Sequence, residues 1–229
     1  MNSLDILYTP LDTPLSPNVD LDKLLKWVKE HGTNQNLSTR LDASKETAVQ
    51  DTYPWNIVYP MDRKSWCFDF DREFPELADF FSSGYKINAT DLRKVVLLPV
   101  KPGFSGLGFW HSDPDPTGLR MYLANQETED FLLIKPTVEP YDARPNFSIT
   151  DLDAVPIQDK TYSAKLLDPR QTFYLNNIRA IHAVNVTTNT TRIAVIVFPE
   201  PNNLKEHLNK LIVDSAKKYN DYALYWQGA

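Results

Sequence analysis

Residues 178–198 read IRAIHAVNVTTNTTRIAVIVF, and this stretch decides the fold. Two runs rich in β-branched and aliphatic residues, 180–186 and 192–198, flank a polar turn through 187–191, which is the pattern of two short strands. A histidine, His182, lies inside the first run, and an arginine, Arg192, opens the second. If the two strands pair as a hairpin, alternation sets Arg192 on one side with Ala194 and Ile196. A buried guanidinium is costly unless an anion pairs with it, and its planar fork suits a carboxylate.

Working outward, the same reading gives strands at 94–100 (KVVLLPV), 108–113 (GFWHSD), 119–124 (LRMYLA), 131–136 (FLLIKP), 162–167 and 172–175. Two further edge strands are expected at 55–59 and 66–70. Seventeen prolines cut the chain into short segments, which favours a β core over long helices. Three helices still stand out. Leu21, Leu24, Leu25 and Val28 repeat with helical spacing, Asp20 is placed to cap them and Gly32 to stop them. A short helix is expected over 75–81. Near the C-terminus Leu204, Leu208, Leu211, Ile212 and Ser215 share a face, Pro201 suits the first turn, and Lys217 and Lys218 suit the last.

About eight core strands with this spacing predict a mainly β protein. The expected architecture is a double-stranded β-helix, a cupin-like jelly roll, with flanking N- and C-terminal helices. The 229 residues suit one domain: helices and edge strands over 1–93, the core over 94–198 and a helix over 199–229. The polar, proline-rich stretch 137–160 is long enough for a functional lid or a mobile loop.

Composition narrows the function. Lys and Arg number 24 against 30 Asp and Glu, a net charge of −6 with no basic run, so no nucleic-acid partner is expected. The single Cys67 excludes an internal disulfide framework and a cysteine-rich zinc site. No stretch has the ~18 apolar residues of a membrane helix. The opening MNSLDILYTPLDTPLSP has neither a basic segment nor a long apolar one. The expectation is a soluble, cytoplasmic protein with no membrane partner, whose five Asn-x-Ser/Thr sequons are chance occurrences.

Of the four histidines, His31 and His207 fall on helices, where capping or solvent roles suffice. His111 keeps different company. It begins His111-Ser112-Asp113, directly after Phe109-Trp110. Residues two apart on a strand point the same way, so His111 and Asp113 can grip one metal ion. His182 from a distant strand completes a two-histidine, one-carboxylate facial set, which leaves three octahedral positions open. Arg192 further along would then hold the far end of a dicarboxylate whose near end chelates the metal.

This constellation resembles the Fe(II)/2-oxoglutarate-dependent oxygenases. Within that superfamily the segments look most like the aspartyl/asparaginyl β-hydroxylase group. The carrying residues are Pro102-Gly103, Trp110-His111, the run Leu119-Arg120-Met121-Tyr122-Leu123, and 178–197 with His182 and Arg192. The resemblance covers roughly 94–198. It implies Fe(II), 2-oxoglutarate and O2, with succinate and CO2 as co-products of C–H hydroxylation. On that reading His111, Asp113 and His182 are iron ligands and catalytic residues. Arg192 and Tyr122 hold 2-oxoglutarate, while Arg120 and Trp110 contact the substrate, an amino acid, a peptidyl residue or another carboxylate-bearing molecule. Two departures stand out: the best-known animal members lack the carboxylate ligand that Asp113 supplies, and they carry histidine where this chain has Tyr122. Two other readings fit a jelly roll: a cupin-like metal-dependent dioxygenase or isomerase that does not use 2-oxoglutarate, and a non-catalytic binding module.

Overall fold

The computed structural model describes residues 2–31, 72–87, 92–100, 105–107, 110, 117–124, 131–139, 156–165, 168–187, 192–199 and 206–227. Strand is the commonest element among the described residues, arranged in two antiparallel sheets. In chain order the strands are β1 (Ile6–Pro10), β2 (Leu92–Val100), β3 (Ser105–Leu107), β4 (Thr117–Ala124), β5 (Phe131–Pro136), β6 (Tyr162–Lys165), β7 (Phe173–Asn176), β8 (Ala180–Thr187), β9 (Arg192–Pro199) and β10 (Leu224–Tyr225). The larger sheet has the order β10-β1-β7-β4-β9-β2, and the smaller one β3-β8-β5-β6. The larger sheet thus takes in β1 and β10 from outside residues 94–198.

Alternation along β4 explains the layering. Leu119, Met121 and Leu123 pack into one apolar cluster, whereas Tyr122 belongs to another. The first cluster lies between the larger sheet and three helices, α1 (Leu21–His31), α2 (Pro75–Gly84) and α3 (Glu206–Lys218). Leu24 and Trp27 of α1, Leu77 and Phe81 of α2, and Leu208 and Ile212 of α3 meet Ile193, Val195 and Val197 of β9 there. Each such side chain, taken out of water, contributes about 1.5–3 kcal/mol. The second cluster is drawn from both sheets. Tyr8, Tyr122, Phe173 and Leu175 come from the larger sheet, and Leu132, Ile134, Ala164 and Ala180 from the smaller. This is the interior that the two sheets enclose.

The first two helices start where the sequence places them. Asp20 accepts from the Lys23 amide through its side chain (3.0 Å) and from the Leu24 amide through its carbonyl (2.9 Å), fixing the first turn of α1. Pro75 occupies the first turn of α2, where its missing N–H is not needed. That helix runs on to Gly84, three residues past its expected end, burying Phe80 and Phe81 on the way.

One expectation is corrected. β8 and β9 do not pair as a hairpin: β8 lies between β3 and β5, whereas β9 lies between β2 and β4. The nearly uniform apolar run of β9 finds a flanking partner on each side in β2 and β4, which an edge position in the smaller sheet would not give it. The chain between the two strands therefore crosses from one sheet to the other. Expected features at Gly32, 55–59, 66–70, Cys67, Pro201 and Leu204 lie outside the described residues, as does the strand at 108–113 apart from Trp110. The stretch 137–160 is described at its two ends only. An isolated bridge joins Thr137 to Ile157, and the Gln158 amide donates to the Pro136 carbonyl (2.8 Å).

Candidate functional site

Inside the two-sheet interior most side chains are apolar, and the polar ones therefore stand out. His182 is fully buried on β8, directly opposite Ile134 of β5 and in the same alternation row as Ala180. Arg120, 3% exposed, and Tyr122 sit two apart on β4 and so share a face, as expected for that run. Tyr8 comes in from β1, where a register irregularity between Ile6 and Tyr8 turns both Leu7 and Tyr8 toward this cluster. A buried histidine, arginine and two phenols among aliphatic residues are expensive to place, and such groups mark a site more often than a packing solution.

Each of these groups has a visible support. The Arg120 guanidinium donates through Nη2 to Oδ1 of Asn177 (3.0 Å). Asn177 is itself fully buried, in the turn that links β7 to β8. Gly118 makes room for this contact, since a Cβ there would lie 3.1 Å from Asn177 Nδ2 and 3.3 Å from Arg120 Nε. Tyr122 meets Phe173 edge-on at 5.5 Å between ring centroids. Burial pushes the Tyr8 phenol well above its ordinary value, and the neighbouring Tyr122 pushes it the same way, so Tyr8 stays protonated as a neutral donor. The Nδ1 of His182 lies 3.4 Å from the Ala180 carbonyl. An imidazole whose Nδ1–H turns to a backbone carbonyl carries its lone pair on Nε2, the arrangement usual for a metal-ligating histidine. The chemistry of the ring therefore fits a divalent metal.

Arg192 is the first residue of β9, and its backbone pairs with Ala124 on one side and Val100 on the other. The same ladder sets Ala194 opposite Tyr122 and Ile196 opposite Arg120. Residues 192, 194 and 196 thus run in step with the row that carries Arg120 and Tyr122, as the alternation of the sequence predicts. His111 and Asp113 lie outside the described residues. Trp110 is described, and Lys135 Nζ sits 4.6 Å from its ring centroid. Lys135 alternates with Ile134, so this contact is made with the face of β5 that points away from His182. Among the described residues, no three His, Cys, Asp or Glu side chains are grouped as a metal site. His207 lines a separate surface cleft with Lys210 and Asp214.

Asn177 was not legible as a site residue. Asn176-Asn177 after a strand reads as turn chemistry, and nothing in its spacing points to Arg120, fifty-seven residues away.

No family model matches the chain, and no curated protein matches it. Solved structures that are similar to it include EctD from S. alaskensis in its apo form, 19% identical over 87% of this chain and 75% of that one, with a TM-score of 0.38. The same EctD has been solved with 2-oxoglutarate and 5-hydroxyectoine. EvdMO1 is 14% identical, over 86% of this chain and 48% of its own, with a TM-score of 0.40, so this chain spans less than half of it. ThoJ, a non-heme monooxygenase in its apo form, is 13% identical over 86% of this chain and 75% of its own, with a TM-score of 0.35. Scores this low do not establish a shared fold. No helix among the described residues is long and apolar enough to cross a membrane.

Proposed function

We propose that this chain is a non-haem Fe(II)- and 2-oxoglutarate-dependent oxygenase on a double-stranded β-helix core. Its substrate would be an amino acid, a peptidyl residue or another carboxylate-bearing molecule, hydroxylated at a C–H bond. The observation that carries the reading is His182, a fully buried imidazole in an interior that also holds Arg120 and Tyr122. His111, Asp113 and His182 would hold the metal, Arg192 and Tyr122 the co-substrate, and Arg120 the substrate. When bound, the iron and 2-oxoglutarate supply oxygen activation, and succinate and CO2 leave as co-products.

The chain's own part is placement and exclusion of water. The Ala180 carbonyl orients the His182 ring, and strand β8 holds that ring at a fixed depth. Asn177 fixes the Arg120 guanidinium, so its charge is in place before any ligand arrives. Leu132, Ile134 and Ala180 line the interior with aliphatic surface, which keeps bulk water out and strengthens every charge interaction there.

The test is a succinate-release assay with Fe(II) and 2-oxoglutarate across free amino acids and short peptides. The expected outcome is substrate-dependent succinate, abolished in His182→Ala, and in Arg192→Ala restored only at higher 2-oxoglutarate. Unchanged turnover in His182→Ala would overturn the assignment. Metal-dependent turnover that consumes no 2-oxoglutarate would replace it with the cupin-type reading.

A further inference from the structure

The β7 ladder along β4 ends at the pair Arg120–Phe173, and β4 continues beyond it. Next to that overhang, the chain ahead of α1 and the turn ahead of β7 enclose a cavity of about 200 Å³. Ser16, Asn18, Val19, Tyr122, Leu123 and Arg170 line it. We infer that this cavity receives the anionic group of the primary substrate, with Arg170 as its charge partner. The inference names the substrate class for the proposed oxygenase site and rests on that reading for its purpose, although not for the binding itself.

Arg170 is solvent-exposed, yet its backbone and its side chain are both tied down. Its amide donates to Oδ1 of Asp168 (2.7 Å), and its carbonyl accepts from the Ser16 amide (2.8 Å). Its guanidinium turns back on the same residue: Nε donates to the Ser16 carbonyl (3.0 Å), and Nη2 donates to that oxygen too. One edge of the fork is thereby tied down and the rotamer set, while Nη1 meets no acceptor among the described residues. No carboxylate forms an ion pair with this group among the described residues. Asp168 accepts from the Arg170 amide rather than pairing with its guanidinium.

A guanidinium held in place with no counter-ion among the described residues, on the wall of a polar cavity, is a prepared anion site. The ordering entropy that a free arginine would lose on binding has been lost already. The cavity is partly open to solvent, and its volume accommodates a carboxylate with a few carbons. Tyr122 belongs both to this cavity and to the two-sheet interior. A ligand seated on Arg170 would therefore run past Tyr122 toward the row that carries Arg120. Arg170, rather than the deeply buried Arg120, is then the first contact for substrate charge.

The test uses full-length protein without added iron or 2-oxoglutarate, titrated by NMR with N-acetylglycine and N-acetyl-L-alanine against their neutral amides. The wild type is expected to bind the carboxylates roughly tenfold or more tightly than the amides, as one charge-assisted pair allows. Arg170→Gln should lose that preference, and Arg170→Lys should keep part of it. A residue that merely clamped Ser16 would change the melting temperature in Arg170→Gln and leave the carboxylate-to-amide ratio where it was. No preference in the wild type, or an unaltered preference in Arg170→Gln, overturns the inference. If Arg170→Gln does not fold, a ratio in Arg170→Lys equal to the wild type does so as well. Iron-loaded protein that releases no succinate while the preference holds would sink the oxygenase reading and leave this site standing.

Discussion

Replacing Trp226 tests whether the C-terminal strap holds the two ends of the chain together. Its indole N–H donates to the Thr137 carbonyl (2.8 Å), its amide donates to the Asp5 carbonyl (2.8 Å), and the Arg179 guanidinium lies 4.1 Å over its ring. Arg179 in turn donates to the Leu4 carbonyl (2.6 Å), so one residue links β10, the N-terminal turn and the start of the 137–160 stretch. Trp226→Phe keeps a ring under Arg179 and loses only the N–H bond, a loss of about 1 kcal/mol. Trp226→Ala also loses the cation–π contact, about 0.5–1 kcal/mol, and part of the packing against the interior cluster, for a total of about 2–3 kcal/mol. For a chain of this size that is a fall of roughly 2–4 °C for Trp226→Phe and 5–10 °C for Trp226→Ala. Urea titration of each variant at pH 7, with the slope checked against wild type, gives the stability difference. A Trp226→Ala protein within about 0.5 kcal/mol of wild type would show that the strap adds nothing to stability, and one no less stable than Trp226→Phe would show that the ring contacts add nothing beyond the N–H bond.

Alkaline stability should expose the buried phenols. Burial raises the Tyr8, Tyr85 and Tyr174 phenols above their ordinary value of 10.0. Their contribution is complete below pH 10 and is lost as the pH rises past it, because the unfolded chain then releases protons that the native one keeps. Each should steepen the decline by about 1.4 kcal/mol per pH unit, and Tyr174→Phe should remove one such increment in urea titrations between pH 9 and 11. Gly118→Val should crowd Asn177 and Arg120, lowering stability by about 1–3 kcal/mol and weakening substrate binding more than Leu119→Ile does. Steady-state kinetics beside thermal melts distinguish the two effects. On the proposed reading, His182→Gln should keep the fold by circular dichroism while weakening Fe(II) binding in a dialysis assay.

The strands that could be read from sequence are those whose two faces meet different surroundings. β4 alternates between a helix-covered face and the interior, so its period of two survives in the residues themselves. β1 is buried along its whole length, ILYTP, with a register shift and a terminal proline, and it shows no alternation to find. β3 and β10 hold three and two residues, too few for any pattern. Sheet order was illegible for a different reason. β8 and β9 are adjacent in sequence, so local reading pairs them, whereas the register is decided by partners about a hundred residues away. The site divides in the same way. His182 and Arg120 stand out because a strand makes a polar residue conspicuous. Asn177 and Arg170 sit in turns, where polar residues are ordinary, and only their contacts reveal them.

The crossing between β8 and β9 changes what the ten-residue interval from His182 to Arg192 means. Were the strands a hairpin, both residues would lie on one surface, and a ligand joining them would lie flat against a sheet. With β8 in the smaller sheet and β9 in the larger, the two backbone positions belong to opposite walls of the interior. A dicarboxylate held at both ends would then have to span from wall to wall, which fixes its length as well as its charge. On the proposed reading the ladders of β8 and β9, not the connection at 188–191, fix that span. Lengthening the connection by two glycines should therefore leave the melting temperature within a few degrees of wild type, and the 2-oxoglutarate requirement and the discrimination against the one-carbon-longer 2-oxoadipate unchanged. A variant that melts like wild type and yet accepts the longer diacid would show that the connection, and not the ladders, sets the span.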